Sequence, residues 1–295
     1  MLERLKAKRL FRKLLGRPDI NKAYAMVGPE DSWYKTIKQV HDSLAEIQKL
    51  PSQILEISSH DNLKMKGIYY PCGSKKTVIW VHGYTSHAER ESAFPGLFYR
   101  SLGFNVLVPY LRAHGHSEGK YISFGALERM DMLRWVDKVN ELCPDGQILI
   151  HGISMGGGIV LDLASQEMKN VRCMISDAPT DSISECLHGM TQYFYKKKAN
   201  KIYPHVLDLF TKEFSADACD FNRAKTIRHG NYPLLLSAGS KERMETFFDA
   251  VVNANPHDTK VVILPGCDHG NGMYKQTQLY QAAIRDFINS YMEKE

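Results

Sequence analysis

A chain of 295 residues that is 43% hydrophobic has enough apolar material for a sizeable buried core, as one large α/β domain or two small ones. The formal net charge of +5 does not signal a nucleic-acid-binding surface: Met1 to Arg17 holds seven bases (Arg4, Lys6, Lys8, Arg9, Arg12, Lys13, Arg17) against Glu3, which leaves about −1 for the rest. The six cysteines (Cys72, Cys143, Cys173, Cys186, Cys219, Cys267) form no close pairs, no stretch approaches the roughly 18 apolar residues of a membrane span, and the start lacks a signal peptide's apolar core, so a cytoplasmic protein with reduced, packing cysteines is expected.

In chain order, Ala7, Leu10, Phe11 and Leu14 recur at helical spacing while Arg9, Arg12 and Lys13 fall opposite, which predicts a short amphipathic helix. That helix packs on its own domain or on a second copy, or lies on an anionic membrane surface. A second helical stretch, around Ser32 to Lys49, ends before Pro51. Gln53 to Ser58 and Lys64 to Tyr70 read as strands joined by a turn at Asp61-Asn62, so short a connection that the pair must be antiparallel.

Beyond them strands alternate with helices: strand Thr77 to Val81, helix Glu91 to Leu102, strand Asn105 to Pro109, helix Ala126 to Leu142, strand Gln147 to His151, and a helix opened by Ser154. Strands Val171 to Ser176 and Leu234 to Ala238 follow, then a helix from about Glu242 to Asn253, strand Lys260 to Leu264, and a last helix from Lys275 to Tyr291. This order predicts an α/β protein with a mostly parallel central sheet and helices on both faces. The segment from Thr180 to Arg223 has no clear strand and is longer than a plain loop, so a small helical insertion is expected. Its Met190, Tyr193, Phe194, Tyr195, Ile202, Tyr203, Leu207 and Phe210 suit a cap, with half or more of them forming the insertion's own core. Lys196-Lys197-Lys198 reads as a solvated face. The expected organisation is an N-terminal helical extension (1–50), a core (51–179 and 224–295) and a helical cap insertion (180–223).

Gly152-Ile153-Ser154-Met155-Gly156 fits G-x-S-x-G, a pattern expected about 0.1 times by chance in a chain this long. Its position between a buried strand and a helix makes it a nucleophile elbow, where a sharp turn pushes the serine hydroxyl out at the carboxyl edge of the sheet. Side chains in place of Gly152 and Gly156 would collide with the neighbouring strand and helix. A serine hydroxyl needs a base, and the base a carboxylate. His269, in Gly266-Cys267-Asp268-His269-Gly270, and Glu242, in Gly239-Ser240-Lys241-Glu242, both follow parallel strands, whose carboxyl-end loops converge on one edge. The alternatives are a plain N-cap serine, a loop histidine without a task, and a metal cluster among His82, His87, His114, His116 and His151. No cysteine or carboxylate accompanies those histidines at ligand spacing, and supporting loops by hydrogen bonds suits them better.

The order Ser154, Glu242, His269, together with His82-Gly83-Tyr84, Arg112-Ala113-His114-Gly115-His116-Ser117 and Asp268-His269-Gly270, resembles the α/β-hydrolase superfamily, specifically its bacterial cytosolic esterase and serine-aminopeptidase-like branch, from about Gln53 to the C-terminus. The resemblance implies the α/β-hydrolase fold, a catalytic triad of Ser154, Glu242 and His269, and an oxyanion hole from the backbone N–H groups of Tyr84 and Met155. The chain departs from the family pattern in using Glu rather than Asp as the acid, which leaves Asp177, Asp268 and Asp181 as rivals, and in having Tyr110 and Ala113 where Asp and Gly are common. Hydrolysis of a small-molecule carboxylic ester or acyl substrate, with no cofactor, no metal and no nucleic acid, is the expected function. Aminopeptidase-like activity, which needs an acidic anchor such as Glu185, Asp208 or Glu213 in the pocket, and thioesterase or acyltransferase activity share the same triad. A non-catalytic protein docking through residues 1–17 on a membrane or on a second copy is the alternative from another class.

Overall fold

The computed structural model describes residues 2–31 and 33–292. Ser32, at the expected start of the second helical stretch, and Met1, at the head of the basic segment, lie outside them. Eight strands form one sheet in the order β1-β2-β4-β3-β5-β6-β7-β8: β1 (Gln53–Ser58), β2 (Lys64–Tyr70), β3 (Lys76–Val81), β4 (Asn105–Pro109), β5 (Gln147–Ile153), β6 (Val171–Asp177), β7 (Leu234–Gly239) and β8 (Thr259–Leu264). β2 runs antiparallel to both β1 and β4, and every pairing beyond β4 is parallel. Parallel neighbours need crossovers, and the helices that supply them cover both faces.

The strands alternate between two cores. Ile79, Val81, Ile148 and Ile150 face one side, with α4 (Glu128–Leu142), α5 (Met155–Leu163) and α9 (Glu245–Ala254). Val78, Trp80 and Leu149 face the other, with α2 (Tyr34–Ile47), α3 (Ala88–Ser101) and α11 (Thr277–Tyr291). All seven residues of the central β5 are buried, which makes it an apolar run instead of a polar-apolar alternation. Two expected helices differ at their starts. α9 begins three residues after Glu242, because the Glu242 N–H donates to the Gly239 carbonyl (3.0 Å) and closes a turn. The last helix is split by Gln276 into a single turn, α10 (Gly272–Lys275), and α11. All six cysteines are free, but Cys72 and Cys219 are exposed, so those two do not pack as expected.

The insertion holds α6 (Ile183–Tyr195) and α7 (Ala199–Phe214), and its last residue opens the short α8 (Arg223–Thr226). Residues 2–15 form α1 (Leu2–Leu15), whose Ala7, Leu10, Phe11, Leu14 and Leu15 are buried with Ile202, Val206, Phe210 and Phe214 of α7. Full burial of Leu10, Phe11, Leu14 and Leu15 is worth at most on the order of 10 kcal/mol in all, which a lipid interface would merely replace. The apolar face of α1 therefore belongs to the core of this chain, and its basic face is what remains outside. No helix among the described residues is long and apolar enough to cross a membrane.

Candidate active site

β5 runs into α5 through Ser154, whose φ of 58° and ψ of −116° lie where only a strained, well-supported turn holds a residue other than glycine. The support is local. The Ser154 N–H donates to the Asp177 carbonyl at the end of β6 (2.8 Å). A Cβ on Gly152 would come 2.2 Å from the Gly156 carbonyl oxygen, and one on Gly156 would come 2.0 Å from that of Val81 in β3. Met155 is the first residue of α5, so its N–H has no carbonyl one turn earlier to bond and stands at the positive end of the helix.

The loop after β8 brings His269 to Ser154. His269 Nε2 lies 2.8 Å from Ser154 Oγ, and Nδ1 lies 2.5 Å from Glu242 Oε2. A carboxylate can only accept, so Nδ1 carries the proton and Nε2 is left to accept the serine hydroxyl. Glu242 is held in turn by the Gly239 N–H, which donates to its other oxygen at 2.7 Å. Its longer side chain, folded over this turn, lets one carboxylate serve both partners. The bond to Glu242 raises the imidazole's pKa above the ordinary histidine value, against the opposing effect of burial. The rival acids are engaged elsewhere. Asp177 accepts the Ser237 hydroxyl (2.8 Å), and its burial pushes its carboxyl up to about 7. Asp268 pairs with Lys241 and Lys275 at the surface, and Asp181 accepts the N–H of Ser182.

A cavity of about 230 Å³ opens beside Ser154 and His269, and its lining corrects an expectation. No residue of 180–223 is among those that line it. The wall comes instead from the strap between α1 and α2, through Ala23, Tyr24 and Trp33, together with Tyr84 to Ser86, Glu91 and Ile153. The insertion spends its apolar face on α1 and so is not the roof. Arg90 fixes the strap by donating to the carbonyls of Asn21 (3.1 Å) and Ala23 (2.8 Å), and His41 Nε2 lies 2.8 Å from the Tyr24 carbonyl oxygen. The Tyr24 hydroxyl donates to Glu91 (3.4 Å), which also accepts the Gly83 N–H (3.0 Å) and the Trp80 indole N–H (3.3 Å). Burial raises the Glu91 carboxyl above its usual range. Sequence reasoning missed Tyr24, Trp33 and Glu91. The one available signal was a tryptophan placed just after the turn-forming run Gly28-Pro29-Glu30-Asp31.

Tyr84 is fixed at both ends of its side chain. Its ring stacks on Phe124 (4.9 Å between centroids) and its hydroxyl donates to the Leu14 carbonyl (2.6 Å). Several motif histidines are loop supports: His82 Nε2 accepts the Leu111 N–H (3.1 Å), His114 Nδ1 lies 3.0 Å from the Arg112 carbonyl oxygen, and His151 meets the hydroxyls of Tyr99 and Tyr280. His60, Asp61 and Asp131 lie close enough to hold an ion. Arg112 already occupies their charge, bonding both carboxylates at 2.7–3.0 Å and holding Asp61 down to about 2. A guanidinium in that position does not fit a cation site.

A family model described as alpha/beta hydrolase fold matches residues 76–218. An uncharacterised protein of Bacillus subtilis, YqkD, is 29% identical over 175 residues, 58% of this chain and 57% of its own length. A 118-residue segment, 39% of this chain, is 30% identical to 3% of the multifunctional-autoprocessing repeats-in-toxin of Vibrio cholerae. The chain thus spans little more than half of the first of these curated relatives and a small fraction of the second. Among solved structures, the Pyrococcus furiosus esterase Pf2001 superposes with a TM-score of 0.67 over 95% of this chain and 99% of its own, at 24% identity, a likeness of fold.

Proposed function

From the premise that the chain belongs to the α/β-hydrolase superfamily, we propose that it is a serine hydrolase that cleaves carboxylic esters through an acyl-enzyme on Ser154. The observation that carries this reading is the continuous hydrogen-bonded series from Ser154 Oγ through the His269 ring to Glu242. Ser154 Oγ attacks the acyl carbonyl as His269 Nε2 takes its proton, and the N–H groups of Met155 and Tyr84 receive the oxyanion. The imidazolium, stabilised by Glu242, protonates the leaving alkoxide. His269 then takes a proton from water, whose oxygen attacks the acyl-enzyme to release the acid and Ser154. A volume of about 230 Å³ lies below the usual ligand-pocket range of about 300–1,000 Å³ and suits a small acyl group. Glu185, Asp208 and Glu213 do not line the cavity, and the carboxylate that does, Glu91, already faces three donors. An aminopeptidase would need one of these to anchor an ammonium.

The test is labelling with a fluorophosphonate probe. Wild type is expected to label, and Ser154→Ala, folded as judged by circular dichroism, is not. Failure of folded wild type to react would remove the serine-hydrolase reading.

The pH dependence has a definite sign. The reaction needs neutral His269, and Glu242 stabilises the protonated ring, so kcat/KM rises with pH through a midpoint above the roughly 6.5 of a free imidazole. Glu242→Gln removes the stabilising charge and moves that midpoint down. A midpoint that stays in place in the variant would detach Glu242 from His269.

The strap sets the acyl end. Trp33→Ala is expected to shift the preference among p-nitrophenyl esters toward longer acyl chains by several-fold in kcat/KM, since each methylene accommodated in an apolar site is worth about 1–3 kcal/mol. An unchanged chain-length profile would place the acyl group on another wall.

A further inference from the structure

The amphipathic face of α1 is spent, yet the layer it forms with α6 and α7 leaves a second surface with no role in the site described above. The C-terminal end of α6 presents Tyr193 (77% exposed) and Phe194 (40% exposed), followed at once by Lys196, Lys197 and Lys198, all exposed. α1 lies against this end: Lys13 Nζ sits 4.3 Å from the Phe194 ring centroid, and the Tyr195 hydroxyl donates to the Lys6 carbonyl. Two further exposed apolar side chains, Leu2 (59%) and Leu5 (54%), stand on α1 among its bases. Leu5 looks onto an open groove of about 690 Å³ between α1 and α7, where Arg4 and Lys8 flank it and the acid Asp208 is paired with Lys212. The acid on α1, Glu3, faces Lys6 and Lys201.

We propose that this composite surface, the outer face of α1 with the α6 end, docks the protein on an anionic lipid bilayer. Each component has a physical task there. The cations meet a negative leaflet, where each lysine or arginine near the surface adds attraction. Tyr193, apolar in its ring and polar at its hydroxyl, settles at the headgroup level, and Phe194 buries its ring in the acyl boundary. Aliphatic Leu2 and Leu5 gain from an acyl boundary and gain nothing from a phosphodiester backbone, which separates a bilayer from a nucleic acid. A second copy of the chain would bring an equally basic surface and be repelled. The geometry also joins the surface to the cavity: Leu14 at the end of α1 accepts the Tyr84 hydroxyl, and the chain continues through Arg17 to Ala23 and Tyr24 in the cavity wall. Docking would hold the mouth of the site near the bilayer without α1 leaving its place.

The experiment is co-sedimentation of the full chain with vesicles of phosphatidylcholine alone or with about 30% phosphatidylserine. Binding is expected only to the anionic vesicles and is expected to disappear near 0.5 M salt, where screening is short-ranged. Tyr193→Ser with Phe194→Ser should weaken it about ten-fold at unchanged charge, and Lys196→Glu, Lys197→Glu and Lys198→Glu together should abolish it. Circular dichroism and thermal melting, which do not depend on the ester reading, establish that both variants are folded. Equal sedimentation with neutral vesicles, no loss in the aromatic variant, or displacement from anionic vesicles by a single-stranded oligonucleotide at lower concentration than the lipid would each overturn the proposal, the last in favour of a nucleic-acid surface.

Discussion

Ester turnover is expected to fall about a million-fold in Ser154→Ala and about ten-thousand-fold in Glu242→Gln, by the scale of loss seen when members of such a relay are removed. The two numbers differ for a reason visible in the geometry. Without Ser154 Oγ there is no nucleophile, and only the N–H groups at the start of α5 and at Tyr84 still favour the tetrahedral state. Without the Glu242 charge the nucleophile and the base both remain, but the ring loses its orientation. A glutamine at 242 can turn its amide N–H toward Nδ1, so that Nδ1 becomes the acceptor and Nε2 carries the proton and faces Ser154 in the wrong tautomer. The Gly239 N–H, which donates to the other oxygen of Glu242, still holds a glutamine in place, so the loss is in charge and tautomer with the fold retained. Near-normal turnover in Glu242→Gln would return the role to Asp177, whose carboxyl lies behind the site on Ser237. Stopped-flow or steady-state rates with p-nitrophenyl acetate separate the two cases.

How much of this was legible in the sequence follows from how local each feature is. The alternation of strands and helices was readable because period and turn residues act over a few residues, and the antiparallel β1-β2 pair followed from its short connection. Ser154, Glu242 and His269, which the structure brings within hydrogen-bond distance, could be shortlisted because each sits in a short loop after a parallel strand. The resemblance pointed to Glu242, but the choice between it and Asp177 could not be made from the residues alone. It depends on which way two carboxylates turn at the ends of neighbouring strands, and one is turned into the interior toward Ser237. The strap was illegible for the opposite reason. Ala23 and Tyr24 are held at the cavity by Arg90, Glu91 and His41, contacts between residues far apart in the chain that leave no periodic mark. The apolar period of α1 was visible, but its partner in α7 lies about 200 residues away, and the expectation that the insertion roofs the site failed because that partner took its apolar face.

One buried side chain ties both ends of the insertion to the core, so Arg223→Ala is expected to destabilise the protein by about 3–5 kcal/mol, the cost of leaving a buried charge unpaired. Arg223 is fully buried, and its guanidinium bonds Asp162 of α5 (2.9–3.2 Å), the Phe124 carbonyl, and both the carbonyl and the hydroxyl of Thr180. Thr180 and Arg223 are the two ends of the insertion, so one side chain joins both ends to a central helix. The site is built for it: a Cβ on Gly158 would come 2.6 Å from Arg223 Cζ. Removing the guanidinium strands Asp162, only 2% exposed, whose carboxyl burial already pushes upward against the pull of Arg223. At roughly 2–4 °C per kcal/mol for a chain approaching this size, the melting midpoint should fall by about 10 °C. The sign of the pH response identifies the cause. Raising the pH ionises the stranded acid and deepens the loss, while lowering it protonates Asp162 and recovers part of it. Asp162→Leu added to Arg223→Met, which removes both charges, should regain most of the stability. If Arg223→Ala alone melts with wild type, the ion pair is not what ties the insertion down, and the packing of α7 on α1 would have to do so unaided.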